Sequence, residues 1–299
     1  MLANTSRVSA PFNLPIDAST RYCAVFGHPI KHSASPAMQN AGIAALGLNW
    51  RYLAFDVDPQ HLREALAGAK RMGFVGVNLT VPHKLLAVDM VDALDESART
   101  WGAVNTVRFE ADATGAVCAR GFNTDADAIA RSLREDLGLE LAGKRVLLLG
   151  AGGAGRVAAL RLAVEHVAVL FLVNRTEAKA AAVAAEIRKL HPGVDVRLGY
   201  PSGEVDLVLN ATSLGLAGFD ASPLDEQQFL LKQTANVYDM IYRPAETPLL
   251  CAARAAGCRT ANGLGMLLYQ GAKALEIWTG QPAPVEVMRR ALKENVYGS

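Results

Sequence analysis

Six consecutive residues, Gly150, Ala151, Gly152, Gly153, Ala154 and Gly155, hold the spacing G-x-G-x-x-G between an apolar run, RVLLL, and a helical pattern, GRVAALRLAVEH. The arrangement suits a dinucleotide. The first glycine permits a tight turn, the second lets the backbone approach a pyrophosphate, and the third brings helix and strand close. Free N–H groups at the helix start then face the phosphates. The same spacing can also be a ligand-free turn, so the residues beyond the loop decide between the two. Nineteen residues after Gly155, where an NAD site places a carboxylate for the ribose 2′-hydroxyl, stand Asn174 and Arg175, then Thr176 and Lys179. A carboxylate there would repel a 2′-phosphate, and two cations attract one. Thr176 is expected to cap the helix beginning at Glu177 and to offer its hydroxyl. NADP is therefore the expected cofactor. A methyltransferase reading of the loop would want an acid at this strand end, and the chain has none there.

Other polar residues with chemical potential precede that loop. FGHPIKHSASP puts Ser33 and Ser35 two apart at a strand exit, ahead of a helix starting at Pro36, so that two hydroxyls could face one anionic group. A serine-rich helix cap accounts for the same residues. GVNLTVPHK ends a strand in Thr80 and brings Lys84 just past Pro82; a lysine at a helix start is ordinarily solvated. GAVNT supplies Asn105, and GFNTDADA supplies Asn123, Thr124 and Asp125. These polar clusters fall in loops, where function tends to sit.

The elements that must hold these residues alternate in a βα rhythm, which predicts an α/β fold with a parallel sheet and helices on its faces. Strands are expected at YCAVFG, RYLAFDV, FVGVNLTVP, RVLLL, VDVRLG, EVDLVLNAT and ANVYDMIY. Helices are expected at SPAMQNAGIAALG, closed by Gly47, at DPQHLREALAGAKRMG, opened by Pro59, from Asp125 to Leu137, and from Met266 to Gly280. The strong βα signature restarting at LAGKRVLLLG marks a change of domain.

The chain of 299 residues is long enough for two domains. Thirty basic residues against twenty-nine acidic ones leave a formal charge of +1, no footprint for nucleic acid or an anionic membrane. The longest apolar stretch, Val167 to Val173, cannot span a bilayer. Small molecules are the expected partners, in a monomer or homodimer. The first twenty residues lack an apolar secretory core and carry Asp17, so export is not expected and a cytoplasmic location is. Cys23, Cys118, Cys251 and Cys258 show no C-x-x-C spacing and are expected to be packed thiols, with no metal site.

Taken together, FGHPIKHSASPAMQN, GVNLTVPHK, GAVNT, GFNTD, GAGGAG, NRT, NATSLG, YDMIYRPAETPLL and NGLGMLLYQG resemble the shikimate dehydrogenase family, in family order from about residue 22 to residue 271. The resemblance implies a shikimate-binding α/β domain of residues 1–124 plus 263–299, with 1–20 an extension, and a Rossmann-like doubly wound NADP domain of residues 125–262. It implies reversible reduction of 3-dehydroshikimate to shikimate by NADPH, in aromatic amino-acid and chorismate biosynthesis. Lys84 and Asp125 become the catalytic pair, and Ser33, Ser35, Thr80, Asn105, Tyr242 and Gln270 hold the substrate with them. Asn174, Arg175, Thr176 and Lys179 hold the adenosine phosphate, Thr212 joins the cofactor set, and Met240, Gly263 and Met266 line the nicotinamide region. Gln39, Ala126, Ala128 and Asn262 depart from residues frequent in the family; the two alanines could alter nicotinamide approach. Two rivals are a paralogue oxidising quinate as well, with NAD, and a catalytically weak ligand sensor. The Arg175 base and the presence of both Lys84 and Asp125 weigh against them.

Overall fold

A computed structural model describes residues 16–111, 113–216 and 222–298. The chain divides into two compact units, one running to Thr124 and resuming at Gly271, the other Asp125–Gln270.

The first unit begins with β1 (Arg21–Gly27), α1 (Ser35–Ala45), β2 (Trp50–Asp56), α2 (Leu62–Arg71) and β3 (Gly76–Leu79). Gly47 turns the chain after α1 with a φ of 68°, whereas Pro59 opens a short 3-10 turn that precedes α2. Next come α3 (His83–Leu86), β4 (Ala93–Leu94), α4 (Glu96–Trp101), β5 (Thr106–Ala111) and β6 (Val117–Phe122). The sheet runs β2-β1-β3-β5-β6-β4. It is not parallel throughout, as the βα rhythm predicts. β5 pairs antiparallel with both β3 and β6, because a short connection folds β5 back on β6 as a hairpin. The apolar side chains of β1, β3 and β5 meet α2 in a core that includes Phe26, Leu66, Val77, Leu79 and Val107.

The second unit comprises α5 (Asp125–Leu137), β7 (Arg145–Leu149), α6 (Gly153–Val164), β8 (Val169–Val173), α7 (Glu177–Leu190), β9 (Asp195–Leu198), β10 (Val205–Asn210), β11 (Thr234–Asp239), α8 (Pro248–Ala255) and β12 (Arg259–Asn262). Its six strands are all parallel, in the order β12-β11-β10-β7-β8-β9. The first strand of the unit lies mid-sheet beside the fourth, which is the Rossmann order with a topological switch between β7 and β10. Burial explains the composition: four of the five residues of β7 are buried, and its leucines have no polar atoms to satisfy.

Helix α9 (Leu264–Thr279) crosses the boundary between the units, and α10 (Val285–Tyr297) ends the described chain. Within the first unit α10 packs on α1, where a Cβ on Gly42 would lie 3.0 Å from the Met288 side chain. Trp278 of α9 donates its indole N–H to the Val107 carbonyl at 3.0 Å. Gly76 makes room for it, since a Cβ there would lie 2.2 Å from the indole nitrogen. Cys23 and Cys258 are packed thiols; Cys118 is half-buried and Cys251 exposed, so packing accounts for two of the four. No described helix is long and apolar enough to cross a membrane, and the described residues contain no His, Cys, Asp and Glu cluster fit for a metal.

Candidate active site

In the first unit the predicted residues gather at the ends of β1, β3, β5 and β6. Gly27 ends β1, and a Cβ there would lie 2.5 Å from the Thr80 methyl, so glycine is what lets the exits of β1 and β3 touch. The Thr80 N–H donates to the Phe26 carbonyl at 3.0 Å, and its own carbonyl accepts from His83 N–H at 2.8 Å, starting the turn that carries Lys84. The Lys84 carbonyl accepts from Val104 N–H at 2.8 Å, which fastens that turn beside Asn105.

Asn105 is buried and its side chain is held on both sides. Its Oδ1 accepts from Thr124 N–H at 2.8 Å and from the Thr106 hydroxyl at 3.2 Å, while its Nδ2 donates to Thr124 Oγ1 at 2.9 Å. Thr124 directly precedes Asp125, the buried first residue of α5. Behind this lies a set of polar residues that sequence reasoning misses. Asn78 donates to Thr106 Oγ1 at 3.0 Å and to the Asn105 carbonyl at 3.2 Å, and it accepts from the Tyr52 hydroxyl at 2.8 Å. Tyr52 is fully buried, its pKa is pushed up by desolvation, and the Ser35 hydroxyl is also a hydrogen-bonding neighbour. A readable signal existed: Asn78 is a polar side chain between Val77 and Leu79 in an otherwise apolar strand, and buried polar groups need partners. Ser33 and Ser35 lie together, Ser35 N–H donating to Ser33 Oγ at 3.4 Å. Ala34, not a serine, is the N-cap of α1 and makes no side-chain cap bond, so the helix start engages the Ser33 hydroxyl alone and leaves that of Ser35 to other partners.

In the second unit one row of paired residues crosses the sheet at its carboxyl edge: Val173, Leu149, Asn210, Asp239 and Asn262. Asn174, Gly150, Met240 and Gly263 each come one residue after that row and Thr212 two, so the register lines up what the sequence scatters. The glycines of the loop have different reasons. Gly150 has φ of 106°, and a Cβ on it would lie 3.0 Å from the Ala211 backbone. A Cβ on Gly155 would lie 2.2 Å from the Gly150 carbonyl oxygen, the close helix–strand approach. On Gly152 or Gly153 a Cβ would meet nothing within 4 Å, so packing does not demand these two. Gly152 caps α6 without a side-chain acceptor. Bare backbone at a helix N-terminus fits a pyrophosphate.

Asn174 ties two segments together, its Oδ1 accepting from Ala151 N–H at 2.9 Å and its Nδ2 donating to the Thr176 carbonyl at 2.8 Å. Arg175, Thr176 and Lys179 are exposed at the start of α7. Thr176 occupies the N-cap, but its hydroxyl makes no cap bond, a correction to the expected role; its backbone carbonyl is engaged instead, by Lys179 N–H at 3.0 Å. Gly263 packs against Met240, where a Cβ would lie 2.0 Å from the Met240 carbonyl oxygen. Asn262 accepts from Leu264 N–H at 3.1 Å at the head of α9, the helix that carries Met266 and Gln270. Gln270 donates to the Leu267 carbonyl at 2.8 Å, and Tyr242 is half-buried, its pKa raised by desolvation. Ala126 and Ala128 are buried on α5, and Gln39 is buried, donating to the Gly271 carbonyl at 2.8 Å.

Comparison with known proteins covers nearly the whole chain. Residues 25–107 match the family described as shikimate dehydrogenase substrate binding domain, 131–214 the family shikimate / quinate 5-dehydrogenase, and 263–293 the shikimate 5'-dehydrogenase C-terminal domain. A shikimate dehydrogenase (NADP(+)) of Moorella thermoacetica is 47% identical over 289 residues, covering 94% of this chain and 95% of that protein. Among solved structures, a shikimate dehydrogenase in complex with NADP+ has a TM-score of 0.85 at 37% identity, with 94% of this chain and 98% of that one covered. A 5-ketofructose reductase of Gluconobacter sp. strain CHM43 has a TM-score of 0.81 at 36% identity, with 93% and 99% covered.

Proposed function

Because this chain belongs to the shikimate dehydrogenase family, we propose that it is an NADP-dependent shikimate dehydrogenase, interconverting 3-dehydroshikimate and shikimate in aromatic amino-acid biosynthesis. One observation carries the reading of its catalytic groups: the turn bearing Lys84 is fastened to Val104, and the adjacent Asn105 is bonded to Thr124, next to Asp125.

NADPH, when bound, supplies the hydride that reaches the ring carbonyl carbon. Negative charge then develops on the carbonyl oxygen. Lys84 donates a proton or hydrogen bond to that oxygen, and Asp125 orients Lys84 and accepts from a neighbouring hydroxyl. Asn105, with its carbonyl already saturated, offers its second amide hydrogen to a substrate oxygen. Ser33 and Ser35 offer hydroxyls to the substrate carboxylate, and Thr80, Tyr242 and Gln270 complete the set around the ring. On the cofactor side the Gly150–Gly155 loop receives the pyrophosphate, Arg175 and Lys179 the 2′-phosphate. Asn174 serves mainly to hold the loop, since both ends of its amide are engaged. Met240, Gly263 and Met266 border the nicotinamide.

The test is the nicotinamide absorbance of the purified protein with shikimate and NADP, the product identified by chromatography. Growth of the reduced-nicotinamide band with formation of 3-dehydroshikimate is the expected result. Absence of turnover, while quinate with NADP or 5-ketofructose with NADPH is turned over, would overturn the substrate assignment.

A further inference from the structure

We propose that Asp239 is a positioning residue for the cofactor, acting through Asn210 to set Thr212 at the carboxyl edge of the second sheet. The proposal rests on the NADP reading above, and it concerns a residue that touches neither substrate nor cofactor.

Asp239 ends β11 fully buried, opposite Asn210 in the register of β10. Its carboxylate accepts three hydrogen bonds: from Thr247 Oγ1 at 2.7 Å, Asn210 Nδ2 at 2.9 Å and Ile241 N–H at 3.0 Å. A carboxylate only accepts, so Asn210 has to turn its amide NH2 toward it. The Asn210 carbonyl is thereby aimed at Thr212, whose backbone N–H and hydroxyl it accepts at 2.9 and 2.8 Å. With that proton committed, Thr212 Oγ1 accepts from Leu214 N–H at 3.1 Å and keeps one lone pair. Toward a ligand it is then an acceptor, suited to a carboxamide NH2 or a ribose hydroxyl. The backbone carbonyl of Asn210 meanwhile accepts from Met240 N–H at 3.0 Å. The buried carboxylate, with the Leu214 carbonyl that accepts from Asn210 Nδ2 at 3.4 Å, thus holds Asn210 in the orientation that directs the Thr212 hydroxyl, beside the Met240 backbone.

Burial raises the pKa of Asp239, against the pull of its three donors. A carboxylate kept in such a place is poorly explained by stability alone, because an apolar pair of similar shape is often as stable.

Asp239→Asn tests this through steady-state kinetics and through fluorescence titration of NADPH without substrate. An asparagine removes the negative charge and one of the two acceptor oxygens, so the hold on Asn210 weakens. The expected result is a rise of about tenfold in KM for NADP and in the NADPH dissociation constant, with KM for shikimate unchanged. Should that variant fail to fold, Thr247→Val, which removes one donor to the carboxylate, shifts the same two constants, and Thr247→Ser restores them. Unchanged NADPH affinity, or equal rises for both substrates, overturns the proposal. Wild-type protein that binds NADPH but does not oxidise shikimate would sink the reaction assignment and leave this inference standing; wild-type protein that binds no NADPH overturns both.

Discussion

At the residue scale, hydroxyls and amides outnumber charges around the proposed substrate, and the chemistry is proposed for the charged pair Lys84 and Asp125. Lys84→Ala is expected to lower kcat by about a hundredfold or more while changing KM for shikimate far less, as loss of a transition-state interaction requires. Steady-state rates decide it, and an unchanged kcat removes Lys84 from the mechanism. Arg175 and Lys179 make a separable prediction. Replacing both by Ala should raise KM for NADP by about tenfold or more and leave KM for NAD nearly unchanged, because only NADP carries the 2′-phosphate. Equal effects on both cofactors would mean that the two cations serve only the start of α7. The proposal for these residues could be read from the chain because their types are local: Asn174, with Arg175 after it, stands where an acid would otherwise stand. The Tyr52–Asn78–Thr106 bonds were not legible, because the partners come from different strands and only the register brings them together.

At the element scale, the glycine loop separates two functions by position. Gly155→Ala would force a Cβ to 2.2 Å from the Gly150 carbonyl oxygen, so the protein should lose about 1–3 kcal/mol and unfold at a lower temperature. Gly152→Ala meets no protein atom within 4 Å, so its melting temperature should hold while its NADPH affinity falls. A thermal melt and a titration on the two variants check this; loss of stability from Gly152→Ala would contradict it. The short helix α3 holds a second test. His83 is fully buried with neither ring nitrogen in hydrogen-bond geometry, and burial lowers its pKa, the backbone of Val57 opposing part of that shift. As pH falls the unfolded chain therefore takes up this proton before the native state does, starting near pH 6.5. Stability from this group is full above that pH and falls as pH drops through it. His83→Leu should therefore flatten the acid side of the profile of melting temperature against pH; an unchanged slope would assign the acid sensitivity elsewhere. Parallel strands with apolar runs, such as β1, β7 and β10, were readable, whereas β4 and β12, with sequences AL and RTAN, were not. The β5–β6 hairpin was not, since TVRFEA and VCARGF mix charged and apolar residues and carry no βα signature.

At the scale of the whole molecule, the chain forms two compact units, and each was partly visible in the sequence. The second was plain because strand, glycine loop and helix succeed one another without interruption, as in RVLLLGAGGAGR. The return of α9 and α10 to the first unit has no local signal; it depends on Trp278 finding the space above Gly76 and on Met288 finding Gly42, contacts between residues far apart in sequence. A shikimate dehydrogenase and a 5-ketofructose reductase share this architecture, so the fold alone does not fix the substrate. The most direct measurement is kcat/KM for shikimate and for quinate, each with NADP and with NAD. The account predicts the highest value for shikimate with NADP, with a loss of about tenfold or more on replacing NADP by NAD. A higher value for quinate, or for NAD, would contradict it.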